Sequence, residues 1–155
     1  MQTTVRNRMP IACAGLIAHP FDPNKICTRG AEGGNIPFGY AVVQGTLWNQ
    51  AKLPTVNTQK VIGVTTTSQA VESTVGVALP GYKQKDPMNV LNFGEVWMPY
   101  DGTAPAIGVP LFVVASGAAA GKVTATSTSN ITVPFIARMV DTTLQLVHVA
   151  MTASL

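Results

Sequence analysis

Residues 90–114 constrain what this chain can fold into more than any other stretch. They read Val-Leu-Asn-Phe-Gly-Glu-Val-Trp-Met-Pro, then a turn-rich Tyr100–Gly108 with Asp101-Gly102 and Pro105, then Val-Pro-Leu-Phe-Val-Val. β-Branched and aromatic side chains suit a pleated, packed surface, and Asp-Gly with proline breaks it. The stretch therefore predicts a strand, a long turn and a returning strand. Glu95 is the single formal charge inside the two runs. A hairpin with one wet face shows a polar residue at every second position, whereas these runs are apolar on both faces. The expectation is a hairpin covered on both sides, by the rest of the fold or by another chain.

The remaining chain uses the same vocabulary. Phe38–Val43, Lys60–Thr67, Ile131–Val140 and Leu144–Met151 read as strands, the last two joined by Asp141-Thr142-Thr143. Lys25–Arg29 and Ser73–Leu79 read as shorter ones, and Ser68–Glu72 offers at most one helical turn. Between them lie the double-proline His19–Asn24 segment, the glycine-rich Gly30–Pro37, a long polar loop at Thr46–Thr58, the loop Pro80–Pro87 and a small-residue turn at Ser116–Gly121. No window carries a helical stripe of useful length. The pattern predicts roughly eight to ten short strands, hence an all-β fold, a sandwich or a barrel-like domain. A chain of 155 residues predicts one domain. Met1–Pro10 has no periodicity and ends in proline, so residues 1–10 read as an N-terminal arm and 11–155 as a single β-rich unit.

Composition narrows the partners. Hydrophobic residues make up 46% of the chain but charged ones only 11%, against roughly 25% in an ordinary soluble domain. The surface is built from Thr, Ser, Asn, Gln and Gly. That suits a protein whose surface is largely taken up by contacts, or a neutral secreted β-domain. The net charge is +3 and no Lys/Arg run occurs, which argues against a nucleic-acid partner. No apolar run reaches the roughly 18 residues of a membrane span, so no membrane partner is expected. Met1–Pro10 is polar and offers no secretory core, which predicts synthesis in the cytosol and reduced, structural roles for Cys13 and Cys27.

Reactive groups are sparse. The acids Asp22, Glu32, Glu72, Asp86, Glu95, Asp101 and Asp141 lie far apart in sequence, with no spacing that suggests an acid–base pair. His148 within an apolar strand reads as an exposed or hydrogen-bonded histidine. A Cys13–His19 pair lacks an orienting acid, and two His with two Cys match no compact zinc spacing. Gly30–Gly34 has no helix after it to cradle a phosphate. No catalytic residue, metal or cofactor is therefore expected. Trp97 reads as core or interface, and Trp48, in the polar loop, as an exposed anchor or a sugar platform.

Taken in order, several segments resemble the capsid decoration, or structural cement, proteins of tailed bacteriophages. They are the small apolar Ala12–Ala18, then Ile36-Pro37-Phe38-Gly39-Tyr40-Ala41-Val42-Val43, then Ile62-Gly63-Val64 and Val90–Met98. Gly108-Val109-Pro110-Leu111-Phe112-Val113 follows, with Phe135-Ile136-Ala137-Arg138 and Leu144–Val149 as the closing pair. The resemblance implies a β-tulip-type domain with long loops and an extended arm. It implies a non-enzymatic virion protein that sits on the outer face of an assembled head and bridges major capsid subunits against DNA pressure. It further implies a homotrimer assembled in the host cytoplasm. On this reading Arg6, Asn7, Arg8, Met9 and Pro10 form a capsid-binding arm, and Val96, Trp97, Leu111 and Phe112 an oligomer seam. The alternatives are another virion β-module, such as a tail or fibre component or a carbohydrate-binding domain, and, less well supported by the residues, an enzyme.

Overall fold

A computed structural model describes residues 12–18, 24–68 and 80–155. Twelve strands run through them: β1 (Lys25–Ala31), β2 (Ile36–Pro37), β3 (Ala41–Gln44), β4 (Gln50–Lys52), β5 (Val61–Thr65), β6 (Gly81–Tyr82), β7 (Pro87–Phe93), β8 (Glu95–Pro99), β9 (Pro110–Val113), β10 (Val123–Thr124), β11 (Ile131–Asp141) and β12 (Leu146–Met151). No helix occurs among the described residues. Strands β1-β4-β3-β5-β7 close into a barrel, and β10-β9-β11-β12-β8 form a five-stranded sheet against it. The short pair β2 and β6 forms a third, small element. The all-β, barrel-like expectation holds.

Period-two alternation, broken by a register shift between β3 and β5 at Val42–Val43, assigns the cores. Ala41 and Val43 of β3, Val61 and Val64 of β5 and Leu91 of β7 point from the barrel wall onto the five-stranded sheet. They meet Val96 and Met98 of β8, Leu111 and Val113 of β9, Phe135 and Ala137 of β11, and Val147 and Val149 of β12. The alternate residues Val42, Ala51, Met88 and Val90 join Ala31 in a second cluster, with Ile36, Phe38 and Tyr82. Leu91 therefore serves one core and Val90 the other, which is why this run lacks a polar face.

The predicted hairpin over residues 90–114 does not form. At Gly94, with φ at +136°, the chain leaves the barrel and enters the sheet. β8 pairs with β12, and β9 pairs with β10 and β11. The first run is thus split between barrel and sheet, and its second half, β8, shares the sheet with β9, with β11 and β12 between them. A glycine in the middle of an apolar run marks a corner here, and the crossover pairing is non-local.

The Ile131 and Leu144 strands form the expected hairpin, β11 with β12. The polar loop at 46–58 contains β4, a short strand with Ala51 fully buried. The Thr/Ser-rich 122–130 stretch contributes β10. The expected strand Ser73–Leu79, most of the possible turn at 68–72, the arm 1–10 and His19 lie outside the described residues.

Candidate interaction surface

The four residues expected to form an oligomer seam have different placements. Val96 and Leu111 sit on the inner face of the sheet with no exposed surface. Their side chains pack within the chain's own core. Trp97 points to the opposite face, where Ala12, Ala14, Ala18 and Leu146 cover it. Phe112, also on that outer face, is half-buried.

The segment 12–18 acts as an extra edge on the sheet. Ile17 bridges Val96 antiparallel, the Gly15 amide donates to the Trp97 carbonyl at 2.8 Å, and the Ala18 amide donates to Glu95 at 2.9 Å. The other side of the segment meets the barrel, because the Thr67 amide donates to the Gly15 carbonyl at 2.9 Å. Two glycines make this double attachment possible. Gly15 and Gly39 both adopt positive φ, +78° and +76°, and lie back to back. A Cβ on Gly39 would stand 2.6 Å from the Gly15 nitrogen and 2.9 Å from the Trp97 carbonyl oxygen.

This clasp helps to shape an apolar groove of about 580 Å³. Ala12, Cys13 and Ala14 form one wall; Phe38, Tyr40, Pro99, Tyr100, Leu144 and Leu146 form most of the rest, and Lys122 adds a cation. A cleft of this size and lining is of the kind that takes an apolar or aromatic group.

The second exposed feature is the turn between β3 and β4. Trp48 is 82% exposed and Leu47 55%, yet the backbone that carries them is tightly braced. The Arg29 guanidinium donates to the Trp48 carbonyl. Gln44 donates to the carbonyls of Leu47 and Gln50. Glu32 accepts from the Thr46 amide and hydroxyl, the latter at 2.7 Å, and lies 3.7 Å from the Lys52 ammonium. These donors hold the Glu32 carboxyl below its ordinary range, the Thr46 amide most of all. The sequence marked Trp48 as an exposed anchor; Gln44 braces it locally, whereas Glu32 and Arg29 act from 14 and 19 positions away and have no local signature.

The whole-chain comparison decides the family. Residues 1–152 match the family model described as structural cement protein (E217 gp24/Pam3 gp6).

The chain belongs to the structural cement protein family.

No curated protein sequence matches it. The fold of this cement protein is shared with a chain from the capsid of Myoviridae phage XM1. That chain is 17% identical, with a TM-score of 0.81, over 100% of this chain and 99% of the other. The family is structural and the cement protein is not an enzyme. Its titratable groups fit that role. His148 is buried, with Nε2 2.7 Å from Glu95 Oε2 and its ring stacked at 5.3 Å on Trp97. The pair fastens β12 to β8 on the outer face of the sheet. Cys13 and Cys27 are free thiols, and desolvation raises the Cys13 pKa above its ordinary value, away from the thiolate. Among the described residues no three His, Cys, Asp or Glu side chains gather in a metal site.

Proposed function

We propose that this cement protein binds the outer surface of an assembled phage head, bridges neighbouring major capsid subunits and holds the shell against the pressure of packaged DNA. The family match over residues 1–152 is the observation that carries this reading. The surface chemistry supports it. With only 11% charged residues, adhesion rests on apolar contact, which salt screens little. Exposed apolar side chains sit outside the cores at Leu47, Trp48, Val56, Ile107 and Met139, mostly in loops joined to a scaffold of strands. Rigid scaffolds with adhesive loops lose little entropy on binding.

Within the proposal the protein self-associates as a homotrimer and meets the shell in the host cytoplasm, without nucleic acid or membrane as partner. Phe112, half-buried on the outer sheet face, is the seam residue that keeps surface for a neighbour. Residues 1–10, with Arg6, Asn7, Arg8, Met9 and Pro10, form the arm that reaches the capsid.

The test is co-sedimentation of purified protein with heads that lack it. It should bind assembled heads and not free capsid subunits, resist release by molar salt, and delay head rupture on heating. Removal of residues 1–10 should weaken binding while the melting temperature of the free protein stays unchanged. A monomer without affinity for heads refutes the proposal, and undiminished binding by the truncated form refutes the arm.

A further inference from the structure

The groove and the Leu47–Trp48 turn lie at opposite ends of one strand. Tyr40, which lines the groove, immediately precedes β3, and the turn follows it. At about 3.3 Å per residue, roughly 13 Å of strand separates Tyr40 from Gln44. The braces from Arg29, Gln44 and Glu32 fix the turn at the far end. Trp48 therefore cannot reach the groove of its own chain.

The chemistry of the two features matches. The groove is walled by Phe38, Tyr40, Pro99, Tyr100 and Leu144, with Lys122 as its cation. Apolar and aromatic walls beside one ammonium suit an electron-rich ring, and indole is the best acceptor of a cation over its face. Trp48 is the one exposed aromatic side chain among the described residues. Leu47 beside it is also exposed, so the turn presents an apolar knob with a fixed backbone.

From this the geometry points to a knob-and-groove junction between copies of the chain, in which Trp48 of one copy enters the groove of the next. Knob and groove are different patches, so the contact is heterologous. Such contacts close into rings when the rotation permits. The inference rests on the self-association proposed above and names the surfaces that make it.

The experiment measures the mass of the full-length protein by light scattering and sedimentation over a wide concentration range. Wild type should be an oligomer. Trp48→Ala removes the knob and Leu144→Glu puts a solvated charge at the groove. Each variant should be monomeric where wild type is associated, with dissociation constants raised at least about thirtyfold, the loss expected of a central aromatic anchor. Both changes fall on exposed side chains, so each should keep the wild-type circular dichroism and the melting temperature of the monomer.

Mixing the two variants is the decisive step. The first retains its groove and the second its tryptophan, so together they should form a one-to-one pair and nothing larger. If wild type is monomeric throughout, self-association itself is overturned and the junction with it. If wild type associates and Trp48→Ala does so equally well, the junction alone is overturned. The same holds if the two monomeric variants fail to pair, or if oligomers are lost on deleting residues 1–11 and survive Trp48→Ala. The last result would give the groove to the N-terminal segment.

Discussion

Replacing Gly39 by alanine should unfasten the segment that closes the sheet against the barrel. Two costs add. The first is conformational: at φ +76° a side chain costs about 1–2 kcal/mol relative to glycine. The second is contact. The new Cβ would lie 2.6 Å from the Gly15 nitrogen and 2.9 Å from the Trp97 carbonyl oxygen. Both are backbone atoms held by hydrogen bonds, so neither yields as a side-chain tip would. Overpacking of this kind costs about 1–3 kcal/mol. Together they predict a loss of about 2–5 kcal/mol, which for a chain of this length lowers the melting temperature by about 10 °C. Gly33 supplies the control. Its φ is +81°, yet a Cβ there would meet nothing within 4 Å. Gly33→Ala incurs only the conformational cost, about 1–2 kcal/mol. The assay is thermal and urea denaturation of both variants at one protein concentration, since self-association shifts apparent stability. Amide exchange at Gly15 and Ala18, whose amides hold the segment to β8, should also quicken in Gly39→Ala and not in Gly33→Ala. Equal melting temperatures for the two variants would refute the contact term and with it the clasp.

Three further outcomes follow from the packing and the titrating groups. Phe135, 1% exposed between the sheet and the barrel wall, should cost about 3–5 kcal/mol when cut to alanine, read as a lower urea midpoint with an unchanged slope. Burial pushes the Tyr82 phenol above its ordinary value of 10.0, and the Tyr40 phenol likewise, with Asp101 adding to the latter. The neutral phenol is the form the fold prefers, so this stability is intact below about pH 10 and is lost as pH rises through the higher folded values. Tyr82→Phe should flatten the alkaline decline, at a cost of about 1–3 kcal/mol near neutrality from the unmet Thr66 carbonyl that its hydroxyl now satisfies. Glu32 runs the other way: its carboxyl is held low by Thr46, so the brace on the turn is complete above the ordinary carboxylate range and fails as pH falls through the lower folded value. The protection of the Thr46 amide, its exchange rate taken against the intrinsic rate at the same pH, should fall on acidification, and Glu32→Gln should remove that loss.

Strand content was legible because it is a local property. Alternating β-branched residues mark β5 and β11 wherever they end up, and Asp141-Thr142-Thr143 forecasts the turn that joins β11 to β12. Strand pairing was not legible, because a ladder is chosen by burial and not by nearness in sequence. Nothing in Pro110–Val113 says that its neighbours are β10 and β11 rather than β8. β4 was missed for a related reason: three residues, Gln-Ala-Lys, carry one buried alanine and no periodicity. The clasp has a faint signature, a glycine between Phe38 and Tyr40, but its meaning depends on Gly15 arriving from far along the chain.

The two-faced apolar runs at Val90–Leu91 and Val96–Met98 also show how one sequence property can have two causes. Such a run is equally suited to a chain's own double layer and to a seam between chains. Here the chain's own layers use it up: Val90 fills the second cluster, Leu91, Val96 and Met98 the main core, and the segment 12–18 covers Trp97. Adhesion must then be sought where apolar side chains remain exposed after both layers are filled. That criterion selects the Leu47–Trp48 turn over the residues 96–97 and 111 of the original run, and it is independent of the family match. A substitution series separates the two causes. Val96→Ala should lower stability by about 0.5–3 kcal/mol, with a change in mass only at temperatures where the fold itself is failing. Trp48→Ala should change mass at constant stability. The reverse pattern would place the seam back on the run and empty the turn of its role.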